Sequence, residues 1–365
     1  MHLWRSLLST GQTAIQAIPD LHESLQSFLE RDASPASKRR EQRYLLIKAW
    51  GNGFWSDVSH VLGCLLLAEF TGRVPVTHWG KKSLYNDGST LDAFPLYFQP
   101  VSASTVGQLA QRKASFFPPK WSRRNVLTDD AQTWRGGDAS KLGIYYFDRQ
   151  ENVAVVDHFV GVIDLLPAAP QDHRFHGKSV EAVYRGLVAK YLRPSDRIVS
   201  EVDAVYERTI AGSPTIAVHA RGSDKRHEMQ DLERINRLYF DILDREYLSC
   251  RILLLTDDSR LASAFCKRYD DRVILTDSYR TGTDIGIHYD PSVDRVRLGL
   301  EVMRDTYLAL RCDRFLGNGR SNLSAMVELM KKWDKGKCRM LVPSQLLYER
   351  NLGVTSSNRP PVPGT

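Results

Sequence analysis

Long apolar runs are missing from this chain of 365 residues. A membrane helix needs about 18 of them in a row. The longest run, Val61 to Ala68, is interrupted by Gly63 and stops at Glu69. Cysteine is sparse: Cys64, Cys250, Cys266, Cys312 and Cys338 are odd in number and far apart. That pattern excludes a disulfide framework and a zinc site, and fits buried thiols in a reducing compartment. No repeat at a period of about 20–50 residues is visible, which excludes a solenoid or propeller. No Gly-x-x-x-x-Gly-Lys-Ser/Thr loop, His-Glu-x-x-His, Cys-x-x-Cys or Gly-x-Ser-x-Gly elbow occurs. P-loop, zinc-hydrolase and α/β-hydrolase chemistries fall away with them. The N-terminus is a poor signal peptide, since Gln12 and Gln16 break its weak apolar stretch. A cytoplasmic, bacterial protein is the expectation.

What is present is an ordinary globular composition, 42% hydrophobic and 25% charged, of a length suited to about two domains. The net charge of +7 favours an anionic partner: a phosphorylated small molecule, an anionic lipid surface or nucleic acid. Basic residues cluster at Lys38, Arg39, Arg40 and Arg43, and at Lys113, Lys120, Arg123 and Arg124. Taken alone, each cluster reads as a solvated face. No nucleic-acid motif accompanies them, so nucleic acid is not expected as a partner.

Apolar spacings of three and four from Leu3 to Leu29 predict an N-terminal helical extension, followed by a polar, basic linker from Arg31 to Arg43. Tyr44 to Trp50 reads as a strand, Gly51-Asn-Gly53 as a turn, Asp57 to Phe70 as a helix that Ser56 could cap, and Arg73 to His78 as the next strand. Residues 79–150 promise only short elements. Val153–Val156 reads as a strand; 180–191 and 197–209 read as helices. From Thr215 the pattern is regular, with strands at 215–219, 251–255, 273–275 and 314–316. Helices at 234–248, 259–269, 297–310 and 324–333 alternate with them. Such alternation means parallel sheets covered by helices. The organisation expected is 1–43 helical segment and basic linker, 44–195 one α/β domain, 196–350 a second, and 351–365 a disordered tail.

Doubly wound sheets bind ligands beyond the C-terminal ends of their strands. Gly51, Asn52 and Gly53 lie at one such end, and read either as a tight turn or as a close backbone approach to an anion. His219 and Arg221 share a strand face at another. Arg221 could offer a bidentate fork to a diphosphate, and His219 could meet a nucleoside or satisfy itself in the core. Asp224 and Lys225 could form a surface ion pair. Asp257 and Asp258 follow a third strand, where a helix cap competes with a divalent-metal site. Asp305 lies on an amphipathic helix, facing solvent or a guanine edge. Gly317 to Ser321 and Asn322 resemble a phosphate cradle.

At these residues the chain resembles the α1,6-fucosyltransferases, both the NodZ type and the animal core enzyme, with the protein O-fucosyltransferases more distant. The matching pieces are Gly51-Asn-Gly53, Thr77-His-Trp79, Asp92-Ala-Phe-Pro95 with Phe98, and Phe116-Phe-Pro118 with Trp121. His219-Ala-Arg221-Gly-Ser-Asp-Lys225, Thr256-Asp-Asp258, and Asp305 through Ser321-Asn322 complete the set. The resemblance implies a GT-B-like fold of two Rossmann-like halves with a cleft between them, the N-terminal half on the acceptor side. It implies an inverting transfer of L-fucose from a GDP-sugar to a glycan or glycolipid hydroxyl, with no metal and no cofactor beyond the donor. His219 and Asp305 would contact guanosine, Arg221 the diphosphate, and Ser321 with its neighbours the phosphates. Glu228, or else Asp224, would be the base. The animal enzyme has a second arginine where this chain has Gly222, so another nucleotide-deoxysugar stays open as donor. A non-catalytic nucleotide- or glycan-binding module, and peripheral contact with an anionic membrane, also stay open.

Overall fold

The computed structural model describes residues 42–128, 143–344 and 346. The expected N-terminal helices and the C-terminal tail lie outside them. Two all-parallel sheets organise the chain. The first has the order β2-β1-β4-β3, with β1 at Tyr44–Lys48, β2 at Val74–His78, β3 at Phe116–Phe117 and β4 at Val153–Val156. The second has the order β7-β6-β5-β8-β9, with β5 at Thr215–His219, β6 at Arg251–Leu255, β7 at Val273–Ile274, β8 at Arg314–Gly317 and β9 at Cys338–Met340. The second order is the doubly wound one, in which the chain steps outward from β5 and then reverses to the other side. Each sheet therefore has a switch point, β1/β4 in the first and β5/β8 in the second.

Both central strands are buried along their whole length, with an apolar middle, as a sheet covered on both faces requires. Helices α1 (Phe54–Thr71), α2 (Val180–Tyr191), α3 (Asp196–Thr209), α4 (Leu232–Glu246), α5 (Ser259–Tyr269), α6 (Arg295–Arg311) and α7 (Asn322–Met330) provide the cover. The two halves share one hydrophobic core, in which Leu45, Phe54 and Leu66 join Leu253, Met303 and Phe315. Trp55 Nε1 of α1 donates to Thr306 Oγ1 of α6 at 2.9 Å, a buried bond between the halves.

Several expectations need correction. Helix α1 begins at Phe54 with Gly53 at its N-cap, so Ser56 lies inside the first turn and caps nothing. Strand β9 and the two-residue β3 carry too few periodic residues to be read from the sequence. Asp224 and Lys225 do not pair: Asp224 binds Arg221 and Lys225 binds Glu228. The five cysteines are free thiols as expected, but only Cys64 and Cys312 are buried, while Cys250, Cys266 and Cys338 are half-buried.

Candidate active site

The β5/β8 switch point gathers the residues of interest. Strand β5 ends at His219, and the chain runs on through Arg221, Gly222 and the single helical turn Lys225–Glu228. Arg221 Nη1 donates to Asp257 Oδ2 at 2.5 Å, and Nη2 to Asp224 Oδ1 at 2.7 Å. The Arg221 Nε–H is buried and has no partner among the described residues. The guanidinium is thus aimed by two carboxylates, with donors to spare for an anion. Burial opposes its charge, but Asp257 and Asp224 hold the guanidinium pKa above its usual value.

Asp257 carries the other half of this arrangement. Its carboxylate also accepts from Gly222 N–H at 3.2 Å and from the Ser223 hydroxyl. Burial pushes its pKa up, and Arg221 and these donors bring it below the ordinary range. Asp258 faces a different set of groups. It caps α5 by accepting from Arg260 N–H and Leu261 N–H, and it meets the guanidiniums of Arg226 and Arg260. The two adjacent carboxylates are each committed to cations and N–H groups of their own. Among the described residues no cluster of His, Cys, Asp or Glu is arranged to hold a metal ion.

His219 is buried with Nδ1 at 2.7 Å from Ser324 Oγ, and its carbonyl accepts from Tyr239 Oη at 2.6 Å. Burial lowers its pKa to about 3, so the imidazole is neutral near pH 7, and its tautomer sets which of Nδ1 and Ser324 Oγ donates. Ser324 Oγ also accepts from Asn318 N–H at 3.1 Å, tying the β5 end to the β8 loop. In that loop the glycines answer to packing. A Cβ on Gly317 would lie 2.6 Å from the Phe315 ring, and one on Gly319 2.5 Å from Pro343. Ser321 is the buried N-cap residue of α7 and makes no side-chain cap bond, and Asn322 opens the helix.

Asp305 sits in α6 with its side chain 12% exposed. Its Oδ2 accepts from Ser278 Oγ at 2.7 Å and Thr276 Oγ1 at 3.1 Å, and its Oδ1 accepts from Arg304 Nε at 3.2 Å. Ser278, Thr276 and Arg304 carried no sequence signal, and neither did Ser324. Glu228 is half-exposed and paired with Lys225.

At the β1/β4 switch point Gly51 takes φ +83, a left-handed conformation that glycine adopts without strain. A Cβ on Gly53 would meet nothing within 4 Å. Asp57 of α1 turns back to accept from Gly51 N–H at 2.9 Å and Asn52 N–H at 3.3 Å. Its Oδ2 and the Asn52 Nδ2 are both buried without partners among the described residues. Burial pushes the Asp57 carboxyl up to about 7. The two switch points approach each other at Tyr85, whose hydroxyl accepts from Phe54 N–H at 2.7 Å. Burial raises the Tyr85 pKa most, and Asp57 from one half and Arg221 from the other both act on it.

No protein-family model matches the chain. Nodulation protein Z of Sinorhizobium fredii is 23% identical over 299 residues, covering 74% of this chain and 85% of that protein. The crystal structure of the fucosyltransferase NodZ from Bradyrhizobium superposes with a TM-score of 0.54 at 21% identity, over 79% of this chain and 93% of its own. The crystal structure of NodZ alpha-1,6-fucosyltransferase soaked with GDP-fucose gives 0.55 at 20% identity, over 79% and 92%. The expected fold is borne out: the chain has the GT-B-like architecture of the NodZ fucosyltransferases, two Rossmann-like α/β halves.

Proposed function

We propose that this chain is an inverting, metal-independent glycosyltransferase that moves L-fucose from GDP-fucose to a hydroxyl of a glycan or glycolipid. The observation that carries the reading is Arg221, at the β5/β8 switch point, braced by Asp224 and Asp257 with its Nε–H unpaired among the described residues. The chemistry follows from that placement. An acceptor oxygen attacks the anomeric carbon from the face opposite the phosphate. The bond from carbon to phosphate oxygen breaks, its electron pair leaves on GDP, and Arg221 offsets the charge that grows there. His219 Nε2 and Asp305 meet the guanosine. The α7 N-terminus, with Ser321 and Asn322, receives the phosphates. Gly51, Asn52 and Gly53, at the facing switch point, close on the donor from the N-terminal half, which takes the acceptor. The relatives support the donor, since a NodZ fucosyltransferase was crystallised with GDP and soaked with GDP-fucose. We place the reaction in the cytoplasm, with the basic surface suited to peripheral contact with an anionic membrane.

A second reading, another GDP-deoxysugar as donor, rests on Gly222, where no second arginine can stand beside Arg221. One assay separates these readings: GDP release from GDP-fucose and from other GDP-deoxysugars, with and without EDTA. Release from GDP-fucose that survives EDTA is the expected result. Release from another GDP-sugar only supports the second reading, and loss in EDTA with recovery on Mn²⁺ overturns metal independence. GDP binding without release from any donor would leave a binding module.

A further inference from the structure

An inverting transfer needs a group that takes the proton of the attacking hydroxyl. The carboxylates around Arg221 are each held in an ion pair with it. Asp257 accepts from Arg221, Ser223 and Gly222. Asp224 Oδ1 accepts from Arg221 and from Ser223 Oγ at 3.0 Å. Glu228 is bound to Lys225 and points to solvent.

One titratable group at this cluster is in neither an ion pair nor a hydrogen bond among the described residues. His288 makes no hydrogen bond among the described residues, and its only ring contact is Tyr289, at 4.2 Å between centroids. It reaches the cluster through Gly286. A Cβ there would lie 2.9 Å from His288 Cε1 and 3.1 Å from the Asp224 carboxylate. The imidazole and the carboxylate therefore flank Gly286 with no room for a side chain between them. Asp224, Arg221, Asp257 and Lys225 are the charged groups that act on the ring.

We infer that His288 accepts the acceptor's proton, with Asp224 stabilising the imidazolium that forms. The inference rests on the GDP-fucose reading. The step balances simply. As the new carbon–oxygen bond forms, the hydroxyl proton passes to an imidazole nitrogen, and the electron pair of the broken bond leaves with GDP. Burial lowers the His288 pKa to about 4; Asp224 offsets part of that fall and Arg221 adds to it. The ring is thus neutral and able to take a proton near pH 7. The negative charge of a bound GDP-sugar would raise its basicity further.

The test uses water as the acceptor: GDP release from GDP-fucose by the full chain, with GDP affinity measured in parallel. His288→Ala and His288→Gln are expected to release GDP about 10²-fold more slowly or worse, with the GDP dissociation constant within twofold of native. Added imidazole should restore part of the His288→Ala rate. The acid limb of the native pH–rate profile should vanish in His288→Gln. Release within threefold of native, or a loss confined to GDP affinity, overturns the role. A native chain that binds GDP but releases none from GDP-fucose overturns it too, while the nucleotide reading stands. A native chain that binds no GDP overturns the donor reading itself.

Discussion

Gly222 and Asp258 fit so closely that a Cβ on the glycine would lie 2.3 Å from Asp258 Oδ2 and 2.4 Å from its Cβ. Asp258 cannot give way, because it is fully buried, caps α5 and anchors Arg226 and Arg260. Gly222→Ala should therefore cost about 1–3 kcal/mol through overpacking, read as a melting temperature lowered by several degrees. Gly222→Arg, which restores the residue of the animal enzyme, should lower stability further and give no gain in GDP-fucose turnover. A faster Gly222→Arg enzyme would show that the loop opens freely around Asp258.

Arg221 is predicted to carry the charge of the leaving diphosphate. Arg221→Ala should slow turnover by roughly 10²–10³-fold, the scale of losing one preorganised donor. Arg221→Lys keeps the charge but cannot span Asp224 and Asp257 at once, so it should recover only part of the loss. Steady-state GDP release measures both. Unchanged turnover in Arg221→Ala would remove the diphosphate anchor from the reading.

The elements that could be read in the sequence share one physical feature, a long period set by burial. Strands β5 and β6 appear where apolar runs placed them, because each is buried on both faces of its sheet, and helix α5 appears where its apolar period turns one face to the core. Asp258 was legible as a helix cap for the same local reason. The rest depends on contacts between distant residues. The pairing of His219 with Ser324 spans 105 positions, and that of Thr276 with Asp305 spans 29. His288 lies in the short 3₁₀ turn Ile287–Tyr289, too brief to carry a period, and only the fold brings it to Asp224. Arg221, Asp224 and Asp257 each stood out by position, but the bracing of Arg221 by the two carboxylates did not. The N-terminal expectations fall outside the described residues.

Asp57 gives a prediction about pH. Its folded pKa of about 7 lies above the ordinary carboxylate value of 3.8. The folded chain therefore holds this proton more tightly than the unfolded chain. The protonated carboxyl favours folding below about pH 4, and that contribution is lost as pH rises to about 7. Asp57→Asn keeps the acceptor for Gly51 N–H and carries no charge. Buried His60 and His219, each lowered to about 3, pull the other way over the same range. The readout is therefore the difference between variant and native. Asp57→Asn should gain stability relative to native as pH rises from 4 to 7, by roughly 3–4 kcal/mol. A constant difference across that range would show that Asp57 is ionised throughout.

Asp305 is predicted to choose the nucleobase. A carboxylate offers about four acceptor positions. Thr276, Ser278 and Arg304 fill three of them, and the side chain is 12% exposed. Guanine presents a ring N–H and an exocyclic amine side by side, and a carboxylate can receive both if the two hydroxyls turn away. Adenine has no such pair of donors, and uracil has one N–H. A mismatched base leaves a partly buried carboxylate without its donors, a penalty of about 1–3 kcal/mol. GDP should therefore stabilise the chain well beyond UDP or ADP at equal concentration, by mass action on the folded state. Asp305→Ala should weaken GDP and narrow its margin over UDP by about tenfold, the size of one lost polar contact. That variant also strips Arg304 of a partner, so the ratio of GDP to UDP dissociation constants is the readout, since a general loss of stability leaves it unchanged. Asp305→Asn, which keeps one acceptor and adds an N–H beside guanine's own donors, should fall between the two. Equal binding of GDP and UDP by the native chain, or a ratio untouched in Asp305→Ala, would mean that Asp305 serves only to hold Ser278 and Arg304 in place.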